Sequence, residues 1–184
     1  MKQIIGKILR QIAVDLKDEF DQNFDRQAFF SEKWQRRKSP GRDRGRAILA
    51  DTGRLRGSIK SRISDNSITF YSDLPYAAIH NDGGEIVVTQ RMKRFFWHQY
   101  YEAIGSFGRK KDGSSRNDKR TIQLSTEAEF WKFMALKKAG TTIKIPRRRF
   151  LGSSPEVETA VRSIIEANIA DHVKQEINFE IKRK

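Results

Sequence analysis

The sequence predicts an α+β fold: a small, mostly antiparallel sheet packed against long N- and C-terminal helices, with a helical insertion and flexible basic loops. Three observations lead there. Apolar residues recur at helical spacing at both ends of the chain, short central segments alternate with the period of a strand, and no βαβ repetition or internal repeat links them. The 184 residues suit a single domain, 1–184, but 33% charged against 37% hydrophobic residues leaves part of the length for loops. Residues 26–46 and 105–124 are the expected mobile loops.

Ile5, Leu9, Ile12, Leu16, Phe20 and Phe24 lie on one stripe and predict an amphipathic helix to about Asp25. Phe29, Phe30 and Trp34 read as a further helical piece, and Arg36–Arg46, basic, with Gly and Pro and no periodicity, as an exposed loop. Asp51 or Thr52 is expected to cap a helix that sets Leu55 and Ile59 on one side. Ser67–Ser72 alternates Ile68 and Phe70 against Thr69 and Tyr71, the pattern of a half-buried strand. Pro75 opens one or two helical turns through Asn81, and Gly83-Gly84 turns into a second strand, Glu85–Thr89.

Arg91–Ile104 reads as a helix ringed by Phe95, Phe96, Trp97, Tyr100 and Tyr101. That is too aromatic for a simple surface helix, so some of these rings are expected to meet another element or another subunit. Residues 108–120 contain no apolar side chain to offset the entropy of ordering, and read as a flexible basic arm. Thr126 and Glu129 form a capping-box pattern ahead of Phe130, Trp131, Phe133, Met134 and Leu136, with Gly140 as the helix stop. Thr142–Ile145 is a short strand. Ser153 or Ser154, Pro155 and Glu156 then open a last helix striped by Val157, Val161, Ile164, Ile165, Ile169 and Val173, fraying from Ile177.

The net charge of +14 is unevenly placed: residues 26–63 carry twelve cations and three anions, whereas residues 64–90 carry four anions and no cation. Without cysteine the fold has neither disulfides nor thiolate metal ligands, which fits a reducing cytosol. Charges every few residues in the first ten positions match neither a signal peptide nor a membrane span, so no membrane partner is expected.

Catalytic signatures are sparse. His80, His98 and His172 lack a second ligand at metal-binding spacing, and there is no phosphate-cradling loop or dinucleotide fingerprint, so no cofactor, metal site or catalytic residue is assigned. His80 reads as a hydrogen-bonded structural residue. Asp65, Asp73, Asp82 and Glu85 form one acidic island, open to three readings: solvated loops, an acidic interface, or the carboxylates of a metal-dependent nuclease. Arg36, Arg37, Lys38, Arg42, Arg44 and Arg46 form one basic cluster. Arg109, Lys110, Lys111, Arg116, Lys119 and Arg120 form another; both suit charge contact with DNA or a partner, without base reading. If acidic and basic flanks lie on opposite sides of the fold, head-to-tail pairing closes a ring.

Three phrases stand out: Thr52-Gly53-x-Leu55-x-x-Ser58-Ile59; Tyr76-Ala77-x-Ile79-His80 with Gly83-Gly84; and Pro146-x-Arg148-x-Phe150-Leu151-Gly152. In that order they resemble the phage virion-morphogenesis or tail-completion family, small proteins that help join a bacteriophage tail to its DNA-filled head. The resemblance implies a non-enzymatic structural protein of the virion, assembled in the bacterial cytoplasm. It would form a ring, of six copies, beside other head-tail connector or tail-tube proteins. Residues 92–144 fall outside the phrases. The alternatives are a sequence-independent nucleic-acid-binding protein and a metal-dependent nuclease.

Overall fold

Helical spacing at the N-terminus yields α1 (Lys2–Arg26), which buries Ile12, Ala13, Leu16, Phe20 and Phe24 along one side and leaves Ile5 exposed. The computed structural model describes residues 2–37 and 47–181, with residues 2 and 178–181 described by backbone alone. These belong to two units. Residues up to Trp34, Leu49–Ala77 and those from Arg148 form the first, and Gln35–Ile48 with Ala78–Arg147 form the second.

In the first unit, the helical piece expected at Phe29–Trp34 is instead a tight ladder of β1 (Ala28–Phe29) and β2 (Glu32–Lys33). Gln27 and Phe30 adopt left-handed φ angles of 54° and 50°, which a continuing helix cannot accommodate. The turn is held by hydrogen bonds. Phe30 N–H donates to Asn23 Oδ1 at 3.0 Å, and Trp34 N–H donates to the Gln27 carbonyl at 2.9 Å. Phe24 and Phe150 are both fully buried with ring centroids 5.4 Å apart, and Trp34 stands edge-on to Phe24 at 5.5 Å.

The first phrase gives only one helical turn, α2 (Arg54–Gly57). Gly53, at φ 70°, occupies the N-cap in place of Asp51 or Thr52; Thr52, one residue earlier, reaches the turn through Oγ1, which accepts the Arg54 N–H at 3.5 Å. Ile59 begins β3 (Ile59–Ser64), paired antiparallel with β4 (Ser67–Ser72) from Ile59↔Ser72 to Ser64↔Ser67. Phe70, on the strand read from alternation, meets Phe20 edge-on at 5.1 Å.

α6 (Pro155–Ile181) opens at Ser154, whose Oγ accepts the Val157 N–H at 3.3 Å. Its backbone stays helical to Ile181 rather than fraying from Ile177. Asn168 is buried on the packed side, where its Nδ2 donates to Gln11 Oε1 of α1 at 2.9 Å and to the Ile164 carbonyl at 2.8 Å. The stripe is only half covered, since Ile169, Val173 and Ile177 are exposed.

The chain enters the second unit within α3 (Ala77–Asp82). β5 (Gly84–Val87) pairs antiparallel with β6 (Thr142–Ile145), from Gly84↔Ile145 to Val87↔Thr142. Between them lie α4 (Gln90–Gly105), capped by Thr89 Oγ1 on the Met92 N–H at 3.2 Å, and α5 (Lys119–Leu136). Phe96 stacks on Trp131 at 5.9 Å, with Ala135, Met92, Tyr100 and Ile143 packed around them.

α5 begins at Lys119, not after Thr126. Asp118 is the cap, accepting the Thr121 N–H at 2.8 Å, while Thr126 Oγ1 donates back to the Ile122 carbonyl at 3.1 Å. Buried Thr121, Leu124, Ala128, Trp131 and Ala135 follow a 3-4-3-4 spacing, the seam of a packed helix pair. Gly140, at φ 88°, is a turn residue whose N–H donates to the Val88 carbonyl at 2.9 Å; the helix has already ended at Leu136. The α+β class is realised, as three separate two-stranded antiparallel ladders among the described residues.

Candidate functional site

The three phrases fix backbone more than they present chemistry. In the first, Leu55 and Ile59 are buried, Thr52 and Gly53 are exposed, and Ser58 Oγ bonds both the Leu55 carbonyl and Ser72 Oγ at 2.7 Å, tying α2 to the end of β4. In the second, Tyr76 is exposed, Ala77 is buried, and Ile79 and His80 are half-buried. Gly83, at φ 74°, runs so close to the third phrase that a Cβ there would lie 2.8 Å from the Arg147 backbone nitrogen. Gly84 gives the same kind of room to Ile79, whose Cδ1 would sit 2.7 Å from an added Cβ.

The third phrase follows β6. Pro146 and Leu151 are half-buried, Phe150 fills the first unit's core, and Arg148 is only 8% exposed. Arg149 lies over the Phe29 ring at 4.4 Å, and its carbonyl accepts the Trp34 indole N–H at 2.6 Å. Its guanidinium donates to the Ser153 carbonyl across Gly152, whose φ of 138° is one that L side chains rarely adopt and where an added Cβ would displace that guanidinium. The phrases thus tie strand ends to core.

A model of the phage virion morphogenesis family matches residues 3–170. The chain belongs to the phage virion morphogenesis family. No curated protein and no solved structure matches it. The match takes in the α4–α5 hairpin as well as the phrases, so this virion morphogenesis protein carries its aromatic insertion inside the family domain.

One residue of the site was not singled out from sequence. Arg56, between the fixed positions of the first phrase, bridges α2 to α1. It donates from Nε to Asp21 Oδ1 at 2.6 Å and from Nη1 and Nη2 to the two oxygens of Asp25 at 2.6 and 2.8 Å. Hydrogen bonding to Arg56 holds the Asp21 carboxyl below its ordinary range, and the same bonds raise the guanidinium's pKa. A signal existed: Asp21 and Asp25 stand at i and i+4, a like-charge pair that repels unless a cation sits between them.

The acidic residues have separate settings. Asp65 is exposed in the β3–β4 turn, and Asp73 pairs with Lys60, both in the first unit. In the second, Asp82 Oδ1 accepts from Asn81 at 2.7 Å, and exposed Glu85 stands opposite Lys144 in the β5–β6 ladder. No group of three or more His, Asp or Glu side chains placed to hold a metal occurs among the described residues, and none of their helices is long and apolar enough to cross a membrane.

Of the first basic cluster, Arg36 is exposed and Arg37 Nη2 donates to the Ala47 carbonyl at 2.9 Å; Lys38, Arg42, Arg44 and Arg46 lie outside the described residues. All six residues of the second cluster are exposed. The segment expected as an arm carries its own backbone bonds, and Lys119 and Arg120 belong to the first turn of α5. The helical outer faces carry large apolar groups: Ile122, Phe133 (64% exposed) and Leu136 (62%) on α5, and Ile169, Val173 and Ile177 on α6.

Proposed function

We propose that this virion morphogenesis protein is a non-enzymatic structural component of the head-tail interface, acting in tail completion or head-tail joining. It assembles as a ring of six copies beside connector or tail-tube proteins. The observation that carries this reading is the pair of uncovered apolar helix faces. Positions 122, 133 and 136 share one side of α5 at helical spacing, and 169, 173 and 177 share one side of α6. A packed helix normally turns such a side inward.

The occupant of each face is the other face on a neighbouring copy. Residues 119–138 hold five cations and two anions, net +3, while residues 155–177 hold two cations and five anions, net −3. Opposite charge around two apolar stripes favours α5 against α6, and disfavours either helix against itself. Such a contact is heterologous, and repeated about an axis it closes a ring. The acidic island at Asp65, Asp73, Asp82 and Glu85 is secondary in this scheme, since Asp73 already has Lys60 as partner.

Mixing tests it. A Phe133→Lys/Leu136→Lys variant removes the α5 face, and an Ile169→Lys/Val173→Lys variant removes the α6 face. Each alone is expected as a monomer by mass photometry, where the unaltered 21.4 kDa chain forms the ring. An equimolar mixture retains one intact contact and gives a 1:1 dimer and nothing larger. Either variant assembling like the unaltered chain, or a mixture that stays monomeric, overturns the proposal.

A further inference from the structure

The loop between α4 and α5 is a built ribbon. The Arg109 and Ser115 backbones form an antiparallel bridge, Lys110 N–H donates to the Ser114 carbonyl at 2.8 Å, and Arg116 N–H donates to the Gly108 carbonyl at 2.7 Å. Gly113, at φ 83°, makes the tip, with its N–H on the Lys110 carbonyl at 3.0 Å. Asp112 accepts from Ser114 N–H and Oγ at 2.9 and 2.7 Å, so one of the two acids in the segment is spent on the turn. The other, Asp118, caps α5. Both carboxyls are held below their ordinary range, Asp112 by the Ser114 hydroxyl first and Asp118 by the Thr121 N–H first.

What the ribbon shows to solvent is cationic. Arg109, Lys110, Lys111, Arg116, Lys119 and Arg120 are all exposed, and residues 108–120 contain no apolar side chain. A typical protein interface is centred on a desolvated core of aromatic or aliphatic anchors, with lysine kept to the rim. This segment has no such core. A partner with regularly spaced charge and no requirement for apolar contact fits it instead, and duplex DNA is that partner.

We propose that the ribbon at residues 108–120 is a contact for the phosphate backbone of duplex DNA, independent of base sequence. A two-stranded ribbon is narrow enough to enter a major groove, with its cations facing the phosphates on either side. Its backbone bonds hold the shape before DNA arrives, so binding immobilises side chains more than main chain. The contact belongs to the single chain and does not require the ring.

The test is fluorescence anisotropy of the full chain on two mixed-sequence 30-base-pair duplexes, between 50 and 200 mM salt. Four to six phosphate contacts give a log–log slope of about −3.6 to −5.4, a loss of roughly two to three orders of magnitude in affinity over that range, alike for both sequences. Changing Arg109, Lys110 and Lys111 together to Gln is expected to flatten the slope by about 2.7, at about 0.9 per contact. The hydrogen bonds that shape the ribbon are backbone bonds at these positions; Arg116 is left in place because its Nε donates to the Arg109 carbonyl at 3.0 Å. Removing as many charges from the first unit, at Lys7, Lys17 and Lys174, is expected to change the slope by less than one.

Equal flattening by both triple variants would assign the effect to net charge and overturn the inference. So would no binding at 50 mM salt, a slope unmoved by the ribbon triple, or competition by polyglutamate as effective as by unlabelled duplex, which would indicate an acidic protein. Mass photometry on the same samples separates the two proposals. For the unaltered chain, a ring that does not bind duplex at 50 mM salt refutes the ribbon contact alone, and a monomer that binds duplex refutes the ring alone.

Discussion

Gly83→Ala is the sharpest check on the junction between the second and third phrases. At φ 74° an alanine costs about 1 to 2 kcal/mol from Cβ sterics alone. The new Cβ would also lie 2.8 Å from the Arg147 nitrogen and 3.1 Å from its Cα. Those are backbone atoms held by the β5–β6 ladder, in register from the next residue at Gly84↔Ile145, so no rotamer change removes the clash. Forcing the strands apart costs about 1 to 3 kcal/mol more, by analogy with an overfilled core. Gly53→Ala is the matched control, because Gly53 has nearly the same φ, 70°, and nothing within 4 Å of its would-be Cβ. It carries the conformational cost without the collision.

For a chain of this length about 1 kcal/mol moves Tm by about 2 to 4 °C. Gly83→Ala is therefore expected to lower Tm by about 4 to 20 °C and Gly53→Ala by about 2 to 8 °C, with an excess of about 2 to 12 °C due to the collision. Circular dichroism melts supply the two numbers. Hydrogen exchange localises the damage, with faster exchange at the β5–β6 amides in Gly83→Ala and none there in Gly53→Ala. Equal destabilisation by the two alanines would refute the close approach of Gly83 to Arg147.

Two other perturbations follow from the first unit. Phe150→Ala empties a fully buried site against Phe24 and is expected to cost about 3 to 5 kcal/mol in denaturant melts, with Phe150→Leu costing markedly less. Arg56→Ala is expected to cost about 1 kcal/mol near neutral pH, a modest figure because the guanidinium and both carboxylates are partly exposed. Its pH dependence has a definite sign. Asp21 is held below its ordinary value in the folded state, so the contribution is complete above the unfolded value near pH 4 and is lost as pH falls through the folded one. The Tm gap between the unaltered chain and Arg56→Ala is accordingly constant from pH 5 to 7 and narrows below pH 4; a gap that widens in acid would refute the assignment.

Much of the fold was legible where one period dominates. The stripe from Ile12 to Phe24, the alternation at Ser67–Ser72 and the β6 strand all appear as read. The misreadings share a cause: a local pattern that two structures satisfy. Leu55 and Ile59 are both buried, as a helix predicts, but Ile59 is buried from a strand, and the alternation Ile59-Lys60-Ser61-Arg62-Ile63 ahead of the Asp65-Asn66 turn was the deciding signal. Phe29 and Phe30 have no sequence mark of the left-handed φ at Gln27 and Phe30, because neither residue type favours it. Thr126 and Glu129 hold capping-box spacing within a helix that is already running, and the true start at Asp118 is marked in sequence only by the 3-4 seam that begins at Thr121.

The candidate site divides along the same physical line. Glycines 83, 84 and 152 have φ of 74°, 147° and 138°, which L side chains rarely adopt, and at Gly83 the Arg147 backbone nitrogen also stands 2.8 Å from a would-be Cβ, so the phrases can be read from sequence. Surfaces for partners make a looser demand. Phe133, Leu136 and Val173 need only be apolar and outward, and in sequence they merge with the inward stripes of their own helices; α5 shows apolar residues on both sides, which obscures its amphipathic period. Only burial separates the two sets. A helix whose inner seam is already filled by Leu124, Ala128, Trp131 and Ala135 leaves Phe133 on the outside, where Lys137 lies over its ring at 4.9 Å but most of the ring stays in solvent. In a virion morphogenesis protein that residue is best explained by a neighbour, and for that reason the α5 and α6 faces, more than the phrases, carry the assembly proposal.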